Sequence, residues 1–230
     1  GMTMSKISKD RKYVKRFSKP VIVAHWVNAL AFIMLYISAL PMYTEFFDWM
    51  YPLFGGPEVL RTVHRVFAVL FILPIFILLI FDPKSLVAWF KQIFSWKKHD
   101  IQFFGAFPKE VLTGHADVPK QDFLNAGEKL NSLLTIACAL MLICSGLVMW
   151  FPEFFPRGLV MYMYPIHNIG LGLCTAVIIG HIYLSIGHPN SRPSIRGMIK
   201  GDVDLEYAKA HHGRWYDELM EEEKKSQKAG

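Results

Sequence analysis

A chain of 230 residues, 53% of them hydrophobic and with a positive mean hydropathy, is long enough for one domain but too apolar for an ordinary soluble globule. Its net charge of +6 would suit nucleic acid if the basic residues formed one patch; they fall instead in separate blocks between apolar runs, which argues against that partner. The three cysteines, Cys138, Cys144 and Cys174, have no metal or redox spacing, and no chemistry is expected of them.

In chain order, residues 1–19 carry seven Lys/Arg, Arg16 among them. An apolar run over about 20–41 follows. It is too long for the core of a signal peptide and contains His25 and Asn28, so it predicts an uncleaved first membrane helix. A second run covers about 60–81, with His64 and Arg65 near its start. The connection 82–129 carries seven Lys. Within it, "LVAWFKQIFSWKK" places Leu86, Trp89, Phe90, Ile93 and Phe94 on one helical face, which suits a helix lying in the membrane interface. The same face suits a cover over the end of a bundle, and the two readings are compatible.

Asn125, with Glu128 three residues on, predicts an N-cap and its capping-box partner at the start of the third run, about 130–151. The fourth run covers about 160–186. The tail 187–230 carries eight Lys/Arg and predicts short surface helices and a solvated charged end. His211 and His212, with nothing nearby in sequence to complete a metal site, read as surface polar residues.

Each apolar run is long enough to cross a hydrocarbon core about 30 Å thick, which takes roughly 20 helical residues. None alternates as a barrel strand does, and in lipid only helices and closed barrels satisfy their own backbones. The predicted fold is therefore an all-α membrane protein: a single domain, 1–230, built as a four-transmembrane-helix bundle. The Lys/Arg blocks place both termini and the middle connection in the cytoplasm, with 42–59 and 152–159 on the other side.

Four of the nine histidines fall inside predicted spans: His25, His64, His167 and His181. Ionisable groups there are costly and usually functional. The topology puts His64 and His167 at the outer level and His25 and His181 at the inner one. The fourteen residues from His167 to His181 bring an α-helix to within about 40° of four whole turns and about 21 Å along its axis. Two bis-histidine sites stacked across the bilayer suit porphyrin iron, which takes imidazole at its axial positions. No Cys, Asp or Glu stands at either level to complete a structural zinc site. A histidine proton relay explains the pairing less well. Gly146, Gly170, Gly172 and Gly180 would admit a flat ring, although small residues also serve ordinary packing between membrane helices. Arg65 and the cytoplasmic cations suit haem propionates, but positive-inside charge accounts for them equally, so no propionate contact is assigned.

"RFSKPVIVAHW", "VHRVFAV", "LNAGEKL…SGLVMWFP", "IHNIG…IIGHIYL" and above all the tail "IRGMIKGDVDLEYAKAHHGRWYDEL" together resemble the γ subunit of membrane-bound respiratory formate dehydrogenases, a four-helix di-haem cytochrome b. The resemblance covers nearly the whole chain. Hydrogenase and thiosulfate-reductase cytochromes share the haem plan but match the tail less well. The resemblance implies two haem b groups, the outer on His64 and His167 and the inner on His25 and His181. It also implies a menaquinone or ubiquinone touched by Asn125 and His181, a role that competes with the N-cap reading of Asn125. The implied partners are an iron–sulfur subunit and a molybdenum or tungsten catalytic subunit that oxidises formate. The implied location is the cytoplasmic (inner) membrane of a bacterium or archaeon. The middle connection is longer than the family pattern. Two alternatives stay open: a cytochrome b serving a hydrogenase or another molybdoenzyme, and a haem-free membrane anchor or proton-conducting subunit.

Overall fold

The computed structural model describes residues 5–230. Four helices are long and apolar enough to cross a membrane: α1 (Lys19–Tyr43), α3 (Pro57–Phe81), α6 (Ala126–Trp150) and α7 (Arg157–Ile182), the last prolonged by a π-turn over Tyr183–Gly187. The short helices are α2 (Tyr51–Phe54), α4 (Pro83–Phe94), α5 (Lys98–Thr113), α8 (Ile195–Ile199), α9 (Leu205–His211) and α10 (Gly213–Lys228). Two three-residue strands, β1 (Tyr13–Lys15) and β2 (Asp202–Asp204), and short 3-10 segments at Glu45–Met50, Pro152–Phe154 and Arg192–Ser194 complete the described elements.

The chain divides into two compact units. One comprises Pro20–Leu86 and Thr135–Ala176, and so holds most of the long helices. Its helices bury little of themselves in protein: Ile75, Phe76, Leu79, Ile80 and Phe81 on α3 are all exposed, as a lipid-facing surface requires. Besides Pro41 near its end, what α1 buries is small and spaced by sevens, Ala24, Ala31 and Ser38, so one narrow stripe faces its neighbours. Asn28 Nδ2 donates to Phe71 O of α3 at 3.1 Å. Gly55 and Gly56, at φ 89° and 108°, turn the chain from α2 into α3 through conformations that side chains resist, and Pro57 then opens α3 with its preset φ.

The other unit comprises the segment up to Lys19, Val87–Leu134 and Val177–Gly230. Here β1 and β2 pair antiparallel, Val14 opposite Val203. Around them lies a core of Ile7, Val14, Val203, Leu205, Tyr207, Ala208, Trp215 and Leu219. The Arg196 guanidinium covers the Tyr13 ring at 3.8 Å and binds Asp202 at 2.5 Å, tying both strands to α8.

The structure adds three things to the sequence reading here. Arg16 is buried, stacks on Phe17 and Phe123, donates to Phe123 O at 2.6 Å and pairs with Glu128 at 3.2 Å. The face expected on α4 splits: Leu86 and Ile93 are buried, whereas Phe90 and Phe94 are exposed and stack on each other. Finally, the middle connection holds a second helix, α5, whose Gly105 and Pro108 hide it from propensity arguments.

Candidate functional site

His64 in the second turn of α3 and His167 in the third turn of α7 come together in the helical unit, their ring centroids 6.5 Å apart. Two imidazoles sharing one axial metal would stand about 6.2 Å apart, given metal–nitrogen bonds of roughly 2.0 Å and about 1.1 Å from nitrogen to ring centre. Ordinary ring packing spans the same range. The discriminating observation is therefore what holds the rings.

Each ring is held by a buried serine on a neighbouring helix. Ser38 Oγ of α1 lies 2.8 Å from His64 Nδ1 and 2.8 Å from Met34 O. Ser145 Oγ of α6 lies 2.7 Å from His167 Nδ1 and 2.6 Å from Met141 O. A serine has one proton and a carbonyl can only accept. Both short contacts at each serine are satisfied only if the hydroxyl donates to the carbonyl and accepts from the ring Nδ1–H. That network assigns the Nδ1–H tautomer to both histidines and leaves each Nε2 with an unprotonated lone pair, the form a metal takes.

Of the four glycines expected beside a flat ring, Gly146 makes room for the His167 imidazole, since a Cβ there would stand 3.3 Å from its Cε1. Gly170 instead admits Leu142 and Met141, as close helix packing requires. A Cβ on Gly172 or Gly180 would meet nothing within 4 Å. Arg65 lies over the Trp150 ring at 5.4 Å.

His25 and His181 lie in different units. His25 is half-buried in α1 with its ring edge against Trp26. His181, in the last turn of α7, has the Asn131 side-chain amide 3.4 Å from its Nδ1. Asn131 was not visible as a site residue from sequence: it is six positions beyond Asn125, at the start of the third apolar run. Asn125 itself is the N-cap expected of it. Its Oδ1 accepts from Glu128 N–H at 2.8 Å, and Glu128 returns the bond to Asn125 N–H at 3.2 Å.

Two further features escaped sequence reading. His99, Asp100 and Asp122 converge as three metal-type ligands would, but the Lys129 ammonium sits among them. It lies 3.0 Å from Asp100, 2.7 Å from Asp122 and 2.9 Å from Ser95 O. This internal cation already satisfies the carboxylates. Burial opposes ionisation of Asp122, yet hydrogen bonds from Lys129 and His99 outweigh it and hold that carboxyl below its usual range.

His212, read from sequence as a surface residue, is fully buried. Its Nδ1–H donates to Asp122 O at 3.0 Å and its Nε2 lies 3.5 Å from Glu128. Burial, with Arg16 nearby, depresses its pKa to about 3. Its neighbour His211 is half-buried and stacks on Tyr207 at 4.1 Å. Neither fact is legible in a tail so rich in charge.

The family model of prokaryotic cytochrome b561 matches residues 16–201. Among similar proteins are two from Escherichia coli (strain K12). The formate dehydrogenase, nitrate-inducible, cytochrome b556(Fdn) subunit is 28% identical over 98% of each chain. The formate dehydrogenase cytochrome b556(fdo) subunit is 26% identical over 92% of this chain and 95% of its own. A formate dehydrogenase cytochrome b556 subunit of Haemophilus influenzae is 26% identical over 94% of this chain and 87% of its own.

Proposed function

The chain belongs to the prokaryotic cytochrome b561 family, and from that premise we propose that it is the membrane cytochrome b subunit of a formate dehydrogenase, carrying electrons from an iron–sulfur partner to quinone. The choice of partner rests on extent. The family model stops at Gly201, whereas the first of the formate dehydrogenase relatives runs on through the tail. Formate oxidation belongs to a separate molybdenum or tungsten subunit, since nothing in this sequence resembles that chemistry.

His64 and His167 would hold one haem b and His25 and His181 a second, the groups supplying one-electron exchange when bound. The single observation that carries this reading is the serine-held His64–His167 pair, with both rings in the ligating tautomer. The pairing of His25 with His181 rests on the sequence topology alone. Asn125 and His181 are the residues proposed to meet a menaquinone or ubiquinone, which takes up two protons as it is reduced. The Lys/Arg blocks favour a cytoplasmic position for both termini, in a multi-pass protein of the cytoplasmic membrane. Exposed Phe90 and Phe94 suit α4 to the interface. Moving one charge inward across 100 mV involves roughly 2.3 kcal/mol, so transfer toward the cytoplasm builds membrane potential.

The test is a pyridine haemochrome assay on the complex purified through this chain, with its partner subunits identified. Two haem b per chain and a formate-oxidising partner are expected. One haem or none would sink the two-site reading; a hydrogenase partner would replace the donor and leave the sites intact.

A further inference from the structure

We propose that Ser38 and Ser145 are positioning residues that set the reduction potential of the haem held by His64 and His167. The inference rests on the bis-histidine reading above. What carries it is the duplication of one device on two unrelated pairs of helices. Ser38 and Ser145 are 0% and 1% exposed. Each donates to the carbonyl of a methionine one turn earlier, Met34 or Met141, and each accepts an imidazole N–H from the next helix. A serine inside a helix commonly back-bonds to the carbonyl four residues before it. Here the same oxygen also accepts the ring N–H, so the hydroxyl's one proton is committed and its direction fixed.

Three consequences follow for the ligands. The ring tautomer is locked, because flipping the proton to Nε2 would leave each Oγ facing an acceptor on one side with no proton to share. The ring is seated against α6, where Gly146, beside Ser145, makes room for His167. The nitrogen trans to the hydrogen bond gains basicity, since a bonded Nδ1–H donates electron density into the ring. A more basic ligand favours the ferric state, so these two bonds pull the potential of that haem downward. His181 meets the Asn131 side-chain amide at 3.4 Å.

The alternative is that the serines are interhelical glue alone. Glue predicts weaker packing with an unmoved potential. The experiment is an optical redox titration of the intact membrane complex, with low-temperature EPR of the ferric haems, for wild type, Ser38→Ala, Ser145→Ala and the double variant. Ser38→Thr and Ser145→Thr serve as rescues that keep the hydroxyl. The expected result is that each alanine variant raises the midpoint potential and shifts the EPR signal of one haem, that the double variant moves it further, and that the other haem stays put. The threonine variants return toward wild type. Loss of that one haem in the alanine variants, with retention in the threonine variants, supports the same assignment. Unmoved potentials with both haems bound, equal shifts of both haems, or loss of haem from the threonine variants as well would overturn it. A wild-type complex with fewer than two haems would instead overturn the reading beneath it, so the two failures are distinct.

Discussion

In the unit that holds most of the long helices, polar side chains come as isolated pairs: Ser38 with His64, Ser145 with His167, Asn28 with one carbonyl. In the unit that carries both chain ends they come as networks. Lys129 joins Asp100, Asp122 and Ser95, His99 joins Asp122, and Arg16 joins Glu128 and Phe123. The physics differs accordingly. Where the surroundings are lipid, each polar group needs a partner on an adjacent helix, and one suffices. Where buried ions are gathered, each charge must be matched and its remaining hydrogen-bonding capacity filled, which takes several partners at once. Pairs can be tuned one at a time. Networks fail together.

The largest expected effect tests the pairs. If the proposed two-haem reading holds, His167→Ala should remove one haem per chain, read by haemochrome assay, with the chain still inserted; His64→Ala should do the same, and the double variant should lose no more. If the double variant loses both haems, the pair is not a unit.

The next test breaks a network. Lys129→Met leaves Asp100 and Asp122 facing each other without their cation, and removing one partner of a buried ion pair costs about 3–5 kcal/mol. Thermal unfolding in detergent should show it. Adding Asp100→Asn should recover part of the loss; additive losses would mean that the cluster is not coupled.

A smaller effect comes from acidification. His212 has its pKa depressed from 6.5 to about 3 by burial and by Arg16, so the unfolded chain binds the proton and the folded one does not. Stability from this group is whole above pH 6.5 and falls as pH drops toward 3, by about 1.4 kcal/mol per pH unit within that window. His212→Gln should flatten that slope in a pH series of unfolding midpoints. An unchanged slope would remove His212 as its source.

The smallest test separates the two readings of Asn125. Asn125→Ala should cost about 1 kcal/mol through the lost cap, and Asn125→Asp, which caps as well, should cost little. If quinone reduction falls in the aspartate variant while stability holds, the side chain meets the quinone as well as the helix. If the two properties track each other, it is a cap alone.

The spans were legible because twenty-odd apolar residues admit one conformation in lipid; the observed helices match the expected runs to within about four residues at either end. α6 starts ahead of its apolar run, at the Asn125 cap that the Asn125–Glu128 spacing predicted. The four histidines were legible as ionisable groups in apolar runs. Ser38 and Ser145 were not: in sequence they look like any membrane-helix serine bonding to its own backbone, and only the neighbouring helix reveals the second bond. The Lys129 cluster was illegible for a related reason. It joins α5 to α6 across contacts that no local pattern encodes. His212 was misread, and the burial of Arg16 went unseen, because composition reports what a segment contains, not which side chains a core of Trp215, Phe123 and Val203 encloses.

The pairing of Val14 with Val203 also dictates an order of events during synthesis. The first strand leaves the ribosome early and must wait, its edge unpaired, while nearly the whole chain is made and the four apolar helices are handed to the membrane. Only after β2 and the helices carrying Tyr207 and Trp215 emerge can its apolar face be covered. A closure joining the two ends of a chain is slow and exposed to misassembly.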